Sequence, residues 1–259
     1  MERRRLTLAW QVTFAVLFVA AWQLSSGRLI APFFVSSPLE VITKFWSLLV
    51  SGKLVFHASL TALHAVGGFA LGAVCGLAAG LVLGRMTRVA DVLEPFIMAF
   101  YSLPKVALAP VFVLWFGIGI GMKVLFVAMI VFLLVFLNTF TGVRHVPAEQ
   151  VMIMRLMRAT EMQITTKLIL PSAITWVFAG LRLSVPYALI GAIIGEMVAS
   201  NRGLGFLLAE ASGQFDTGGA FAALAAIIVM SLCLNAVVRV AERLAMPWRE
   251  GEDHREMSI

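Results

Sequence analysis

The chain has 259 residues, of which 61% are hydrophobic and only 13% are charged, and it carries a formal net charge of +6. A soluble domain of this length needs far more surface charge, so the composition excludes an ordinary soluble protein and favours an integral membrane protein. The positive charge does not indicate nucleic acid, because the basic residues form short clusters beside apolar stretches, as expected near an anionic cytoplasmic leaflet.

Six apolar stretches are each long enough to cross a hydrocarbon core about 30 Å thick, which needs ~20 helical residues. The first stretch follows Arg3–Arg5 and has the form of a signal sequence, but it lacks a small-residue cleavage site, so we expect an uncleaved helix. The predicted spans are residues 6–25, 58–84, 92–117, 122–143, 172–198 and 220–246. The Lys/Arg bias between the connecting segments predicts that both termini are cytoplasmic.

A short helix is predicted in the segment after the first span. Ser37–Glu40 has the form of a capping box with proline at the first helical position. The apolar residues near one face of this helix are Leu39, Ile42, Trp46 and Leu49. We expect the helix to lie in the outer membrane interface, with a covered loop helix as the alternative.

The second predicted span carries glycines at a regular spacing of four residues. They are Gly68, Gly72, Gly76, Gly80 and Gly84. Because four residues slightly exceed one helical turn, the glycines form a stripe that winds slowly round the helix and admits a close neighbour. We predict helix packing at this stripe, and sliding along it during a transport cycle is the alternative.

Prolines interrupt two of the predicted spans. Pro104 and Pro110 lie in the third span and Pro186 lies in the fifth, and each removes an amide donor and clashes with the carbonyl four residues back. Such breaks persist in membranes where the helix is buried in protein or lines a water-filled cavity. The two broken spans therefore predict a solute path.

Charged residues near these breaks complete the predicted path. Lys105 needs a partner in the membrane, so it either attracts an anionic solute, or it caps the carbonyls that proline frees or snorkels to the edge of a cavity. Glu196, near the outer end of the fifth span, either pairs with Arg202 or faces the path. The path candidates are Pro104, Lys105, Arg182, Pro186 and Glu196.

Motifs for chemistry on a substrate are absent from the sequence. There is no GxxxxGK[ST] phosphate loop, no nucleophile elbow and no carboxylate pair within one span, and the histidines show no metal-ligand spacing. Cys75 and Cys233 lie inside apolar spans and are interpreted as small hydrophobic residues. We therefore expect no enzyme activity, no metal and no cofactor on this chain.

A polar, basic segment from Arg144 to Lys167 interrupts the apolar chain and closes on Leu168-Ile169-Leu170-Pro171. In so hydrophobic a protein, such a segment predicts a docking loop for a soluble partner. It resembles the cytoplasmic loop of permease subunits of bacterial ATP-binding-cassette importers. That loop has the form E-A-A, three residues, G, nine residues, I-x-L-P. Further segments resemble the nitrate/sulfonate/taurine branch, and they are Ser102–Pro110, Leu114–Gly117, Gly180–Arg182 and Glu196 followed by Gly203–Gly205.

The head of the loop departs from the family pattern. Met152, Ile153 and Met154 occupy the E-A-A positions and Arg158 occupies the glycine position. Glycine suits a left-handed turn between two short helices, whereas arginine is strained there, so we expect a reshaped turn. Losing the acidic residue removes a salt contact with the partner, and neither Glu149 nor Glu161 is in register to replace it.

The resemblance implies an all-α membrane protein with six transmembrane helices in the type I ABC importer permease fold. It implies an N-terminal helix and outer loop over residues 1–57, a permease core over 58–246 with a coupling loop at 144–171, and a cytoplasmic tail at 247–259. It also implies a place in the bacterial inner membrane and a small solute, an organic or inorganic anion such as a sulfonate or nitrate.

The same resemblance implies the partners. They are cytoplasmic ATPase subunits that bind ATP and magnesium, an extracytoplasmic solute-binding protein, a second permease copy and membrane lipid. The implied coupling helix is about Met152–Thr160, with apolar anchors at Leu156 and Met157. The coupling residues are Met152, Arg155, Leu156, Met157, Arg158, Ala159, Thr160, Leu170 and Pro171. The alternatives are an ion-coupled secondary transporter and a degenerate permease that acts as a membrane scaffold.

Overall fold

The computed structural model describes residues 2–29 and 31–245, which are almost entirely helical. The helices are α1 Glu2–Ser25, α2 Pro32–Val35, α3 Pro38–Val50, α4 Lys53–Arg85, α5 Thr87–Ser102, α6 Ala109–Phe116, α7 Ile120–Arg144, α8 Ala148–Leu156, α9 Glu161–Ile164, α10 Leu170–Ala199, α11 Leu204–Gly213 and α12 Thr217–Ala245. A 3-10 turn, Lys105–Leu108, precedes α6, and a π-helical turn, Thr165–Ile169, joins α9 to α10. The predicted cytoplasmic tail, 247–259, lies outside the described residues.

The chain divides into two compact units. One contains Met1–Leu60 and Asn201–Val229, and the other contains Thr61–Ser200 and Met230–Ile259. The second unit holds the proline-broken segment, most of the glycine stripe's helix and the whole segment between α7 and α10. It therefore contains every predicted coupling and path residue.

Within the described ranges, four helical segments are long and apolar enough to cross a membrane. They are α4, α7, the continuous helical segment Glu161–Ala199 and α12. Helices α5 and α6 pass the same test only together, as a pair bent by 84°. The apolar part of α1, Ala9–Ser25, is shorter than a span, so the predicted count of six is not fully confirmed.

The third predicted span bends at Pro104, as the sequence predicted. Leu103 is extended, with φ −64° and ψ 136°, because the proline ring excludes the helical conformation from the residue before it. The carbonyl of Phe100 accepts a hydrogen bond from the amide of Leu103 instead of the missing donor. Pro110 lies in the first turn of α6, where no donor is needed, so the expectation that it breaks a helix is wrong.

Helix α7 packs against α4 along the glycine stripe. A Cβ atom on Gly76 would lie 2.7 Å from the carbonyl oxygen of Phe132, and one on Gly80 would lie 2.7 Å from Cβ of Thr139. Real Cβ atoms do not approach other atoms this closely, so the observed distance between the two backbones requires glycine at these positions.

The two helices run parallel, which determines the path of the chain between them. The stripe advances from Gly68 to Gly84 while its contacts on α7 advance from Val127 to Val143. Both helices are long enough to cross the membrane, so the chain from residue 86 to residue 119 must return to the side on which α4 began. The bent pair α5–α6 therefore acts as one crossing segment.

Helix α10 packs antiparallel on α7. Gly180 faces Asn138, while Gly191, three turns later on α10, faces Val127 and Ile130, which lie earlier on α7. The buried cluster between these helices includes Val127, Val131, Val135, Ala188 and Ala192. Helix α7 thus has close neighbours on both sides and forms the centre of the second unit.

In the first unit, the predicted short helix is present as α3. Ser37 caps it by accepting a hydrogen bond from the amide of Glu40, but the Glu40 carboxylate accepts from Ser36 Oγ at 2.9 Å instead of completing the capping box. The apolar residues Leu39, Ile42, Trp46 and Leu49 are all exposed. Its position in the membrane interface stays a prediction.

An ion pair links α3 to the start of α12 within the same unit. Lys44 Nζ lies 2.8 Å from Asp216 Oδ2. The hydrogen bond from Lys44, followed by one from the amide of Gly219, lowers the pKa of Asp216 below its ordinary value. The pair is partly exposed, so it orients α3 more than it stabilises the fold.

The glycine contact generates a stability prediction. Gly76→Ala places a Cβ atom against the backbone of α7, which cannot move aside, and should lower the free energy of unfolding by about 1–3 kcal/mol. Gly67→Ala is the matched control on the same helix, because its Cβ would meet a methyl group of Val124 at an ordinary 3.6 Å. Thermal unfolding of both variants in detergent measures the difference. Equal melting temperatures would contradict the packing described here.

Candidate functional site

The polar segment between α7 and α10 folds into two short helices joined by a tight turn. Helix α8 begins after Pro147 and ends at Leu156. The observed helix therefore begins and ends earlier than the implied coupling helix, Met152–Thr160. Thr160 belongs to the next element, since its side chain caps α9 in a capping box with Gln163. The segment is therefore a helix, a turn and a second helix that continues into α10.

The turn after α8 is left-handed at the position where the family motif has glycine. Arg158 has φ +57°. Its amide donates to the carbonyl of Arg155 at 2.9 Å, and the amide of Ala159 donates to the carbonyl of Met154 at 3.0 Å. This pair of bonds is the Schellman arrangement, whose left-handed position usually holds glycine. The expectation of a reshaped turn is wrong, because the arginine adopts the left-handed conformation in spite of its Cβ.

Pro171, at the end of the motif, is accommodated by a local change in the helix. Pro171 cannot donate to Lys167, and its ring would clash with that carbonyl in a regular helix. The helix widens into the π-helical turn Thr165–Ile169 just before the proline, with the amide of Leu170 donating to the carbonyl of Thr165. The chain therefore continues from α9 into α10 with no break.

Helix α8 has one face against the protein and one face open. Val151 and Met154 pack with Ala159 against the buried cluster that includes Ile164 and Ile169. The open face carries four large apolar residues, which are Met152, Ile153, Leu156 and Met157. Leu156 and Met157 are 74% and 75% exposed. We call this set of four residues the α8 apolar face.

Two arginines converge on Glu161 beside α8. Arg85, at the end of α4, lies 2.6 Å from one carboxylate oxygen, and Arg155 on α8 lies 3.3 Å from the other. Arg85 also donates to Thr165 Oγ1. Glu161, whose side chain is 60% exposed, therefore links α8 to the end of a spanning helix.

Glu196, a predicted path residue, is fully buried. Thr61 Oγ1 donates to its carboxylate at 2.9 Å, and His64 Nδ1 lies 2.8 Å from the other oxygen. The pairing expected with Arg202, which belongs to the other unit, stays a prediction. Thr61 and His64 come from α4, so the carboxylate ties α10 to α4.

A third charged side chain lies near this cluster. Lys123, in the first turn of α7, is only 5% exposed, and its Nζ donates to Ser200 Oγ at 2.9 Å. The charge of Glu196 attracts the ammonium group. Charged groups are costly inside a membrane unless they are paired, and here an acid and a base come from different helices. The cluster is therefore a polar link among α4, α7 and α10.

The remaining path candidates have partners within the second unit. Lys105 Nζ donates to the carbonyl of Tyr101 at 2.9 Å and lies 4.6 Å from the centre of the Tyr101 ring. Tyr101 is not one of the residues whose carbonyls the prolines free, so the choice between attracting a solute and a structural role for Lys105 stays a prediction. Arg182 lies 3.2 Å from Glu242 on α12. Helix α10 continues from Leu170 to Ala199 with Pro186 inside it, so the expectation that this proline breaks the fifth span is wrong.

Sequence reasoning missed the partners of Glu196 and Arg182. Thr61 and His64 are three residues apart in an apolar helix, so they share a face. Polar residues at that spacing in a predicted span are the signal that points to a buried partner. Glu242 gives a weaker signal in the last span, where it is the one acidic residue of α12 and lies between Arg239 and Arg243.

Comparison with known proteins places this arrangement in a family. Residues 68–247 match the family described as binding-protein-dependent transport system inner membrane component. The chain belongs to this family. The resemblance stated from the motifs is thus confirmed, and the chain is a membrane permease subunit of a binding-protein-dependent importer.

The permease has relatives along most of its length. It is 31% identical over 234 residues to the putative aliphatic sulfonates transport permease protein of Bacillus subtilis, covering 90% of this chain and 85% of the relative. It is 36% identical over 216 residues to the riboflavin transport system permease protein of Chloroflexus aurantiacus, covering 83% and 81%. A chain of the inward-facing MetNI methionine ABC transporter has the same fold, with a TM-score of 0.62, 17% identity, and 80% of this chain and 96% of that chain covered.

The left-handed conformation of Arg158 leads to a prediction about stability. Arg158→Gly should raise the free energy of unfolding of the permease by about 1 kcal/mol, because glycine adopts this conformation without a Cβ clash. Arg155→Gly is the control inside α8 and should lower it by about 1 kcal/mol. Thermal unfolding in detergent measures both. A loss of stability in the Arg158 variant would show that its side chain contributes more than the strain removes.

The buried carboxylate leads to a second prediction. Glu196→Ala removes the acceptor for two side chains and the counter-charge of Lys123, and should destabilise the permease by about 3–5 kcal/mol. Glu196→Gln keeps an oxygen acceptor and should cost less. Glu149→Ala, at an exposed position on α8, should stay within about 0.5 kcal/mol of the parent. Similar melting temperatures for the two alanine variants would argue against a structural link at Glu196.

Proposed function

We propose that cytoplasmic ATPase subunits bind this permease at α8 and drive solute import. The observation that carries the proposal is the α8 apolar face, an exposed group of large hydrophobic side chains on a polar segment between two spanning helices. Contiguous apolar surface outside the membrane marks an interaction site. The family to which the chain belongs works with ATP-binding subunits and a solute-binding protein.

The shape of α8 suits a groove on the partner. Met152 and Leu156 are four residues apart, so they lie one above the other on the helix, and Met157 extends the same face. Methionine adapts to irregular pockets, and its enrichment at interfaces fits this role. Arg155 and Arg158 lie at the edge of the face, where a charged rim orients the partner.

The parallel helices and the basic segment after α7 support the proposed orientation. Helices α4 and α7 end on the same side of the membrane, at Arg85 and Arg144, and the basic segment that holds α8 follows directly. Basic loops stay on the cytoplasmic side, so we assign this side, and both termini, to the cytoplasm. The ATPase subunits and their ATP and magnesium are then on the same side as α8.

Packing of α8 gives a route for coupling. Its inner face contacts the cluster that includes Val143 of α7 and Ala173 of α10, so a displacement of α8 moves the ends of two spanning helices. When the ATPase subunits in one nucleotide state bind one arrangement of these helix ends more tightly, they shift the permease towards that arrangement. Two permease copies around one path complete the proposed importer.

We propose a small organic anion, an alkyl sulfonate, as the solute. The support is the likeness to the aliphatic sulfonate permease over 90% of the chain. The relative named for riboflavin is the competing case. The test is the ATPase rate of the reconstituted importer with its solute-binding protein, since only the true solute raises that rate. Stimulation by riboflavin and not by ethanesulfonate would overturn the choice of solute while leaving the importer assignment unchanged.

The docking surface leads to the main functional prediction. Leu156→Asp puts a charge at the centre of the α8 apolar face and should reduce ATPase copurification and uptake at least tenfold, the loss expected from one buried anchor of about 1.4 kcal/mol or more. The permease itself should still insert and unfold at the parent temperature, because the side chain is 74% exposed.

Met86→Asp is the matched control. Met86 is an exposed apolar residue on the same predicted side, between α4 and α5, and aspartate is a favourable helix N-cap. Copurification should be normal in this variant. Normal uptake by the Leu156 variant would remove the coupling assignment and favour the ion-coupled or scaffold alternatives.

A further inference from the structure

A cavity of about 610 Å³ lies beneath α8, where the ends of α4 and α7 meet the two short helices. Arg85 and Arg144 line it, and each is in the last turn of a spanning helix. The cavity therefore lies at the depth where the hydrocarbon core gives way to the lipid headgroups. Arg155 lines the side formed by α8.

The lining carries more positive than negative charge. Glu161 is shared by Arg85 and Arg155, and Arg144 pairs with Asp91 at 2.9 Å. Three guanidinium groups thus face two carboxylates, and each guanidinium has five N–H donors. Arg85 and Arg144 are about one-third exposed, so an anion can reach them. Guanidinium groups match the geometry of phosphate oxygens.

The cavity also has an apolar side. Val143, Ile164 and Ile169 line it and belong to the buried cluster below α8. A ligand that fits both parts has an anionic phosphate next to a hydrocarbon portion. A phospholipid has this chemistry, and a free phosphate ion lacks the apolar portion.

We propose that this cavity binds the headgroup phosphate of an anionic phospholipid. The proposal rests on the proposed orientation, in which these helix ends face the cytoplasmic leaflet. Basic pockets between helix ends on that side bind anionic headgroups. The bound phosphate bridges Arg85 of α4 and Arg144 of α7, and so braces the base of α8.

The test uses the full chain purified in detergent, without ATPase subunits, so its result is separate from that of the docking prediction. Melting temperature is measured against increasing phosphatidylglycerol, phosphatidylcholine or inorganic phosphate. Phosphatidylglycerol should raise the melting temperature in a saturable way, while phosphatidylcholine and inorganic phosphate should not at the same concentrations.

Variants locate the site. Arg144→Gln should raise the half-saturating phosphatidylglycerol concentration about tenfold, the usual effect of removing one charge-assisted hydrogen bond. Arg144→Lys keeps the charge and should retain most of the response. Arg88→Gln is the control, because Arg88 is exposed on the same predicted side and does not line the cavity. Each variant is compared with its own lipid-free melting temperature, so a change in stability alone does not mimic the result.

Three results would overturn the proposal. They are an equal response to phosphatidylcholine, an unchanged response in Arg144→Gln, and a full response to inorganic phosphate alone, which would indicate a soluble anion as the ligand. Normal formation of the ATPase complex by the Leu156 variant would contradict the proposed docking surface, but it would leave the lipid proposal unaffected.

Discussion

Helices α4 and α7 touch through glycines at a backbone distance that a single Cβ would prevent. In a membrane there is little hydrophobic drive between helices, so close van der Waals packing of this kind supplies much of the association. The parallel direction of the two helices then requires the chain between them to recross the membrane. That requirement explains why a segment bent by 84° at Pro104 still acts as a span.

The central position of α7 also explains where the ionisable residues lie. Glu196, His64 and Lys123 come from α10, α4 and α7, and both α4 and α10 approach α7 closely through glycines. A charge in hydrocarbon needs a partner within reach, and only closely packed helices provide one from another part of the chain. Arg182 and Glu242 satisfy the same constraint between α10 and α12.

The segment between α7 and α10 shows how a turn that favours glycine forms with a different residue. The left-handed turn at Arg158 is maintained by the two bonds of the Schellman arrangement and by the packing of Ala159 with Met154. Methionine replaces the family's acidic residue at position 152 and contributes to the α8 apolar face, while Glu161 pairs with Arg85 and Arg155 at the surface.

The sequence by itself determined the membrane class, the break at Pro104, the glycine stripe and the family, because apolar length, proline sterics and motif spacing are local properties of the chain. It failed at Arg158 because the strain of one residue is outweighed by bonds and contacts made by its neighbours. Only the tertiary structure decided which residues pair with Glu196 and Arg182, that α4 and α7 run parallel, and that a cavity lies beneath α8. These features depend on which helices meet, and the distances between residues far apart in the chain are not written in any local pattern.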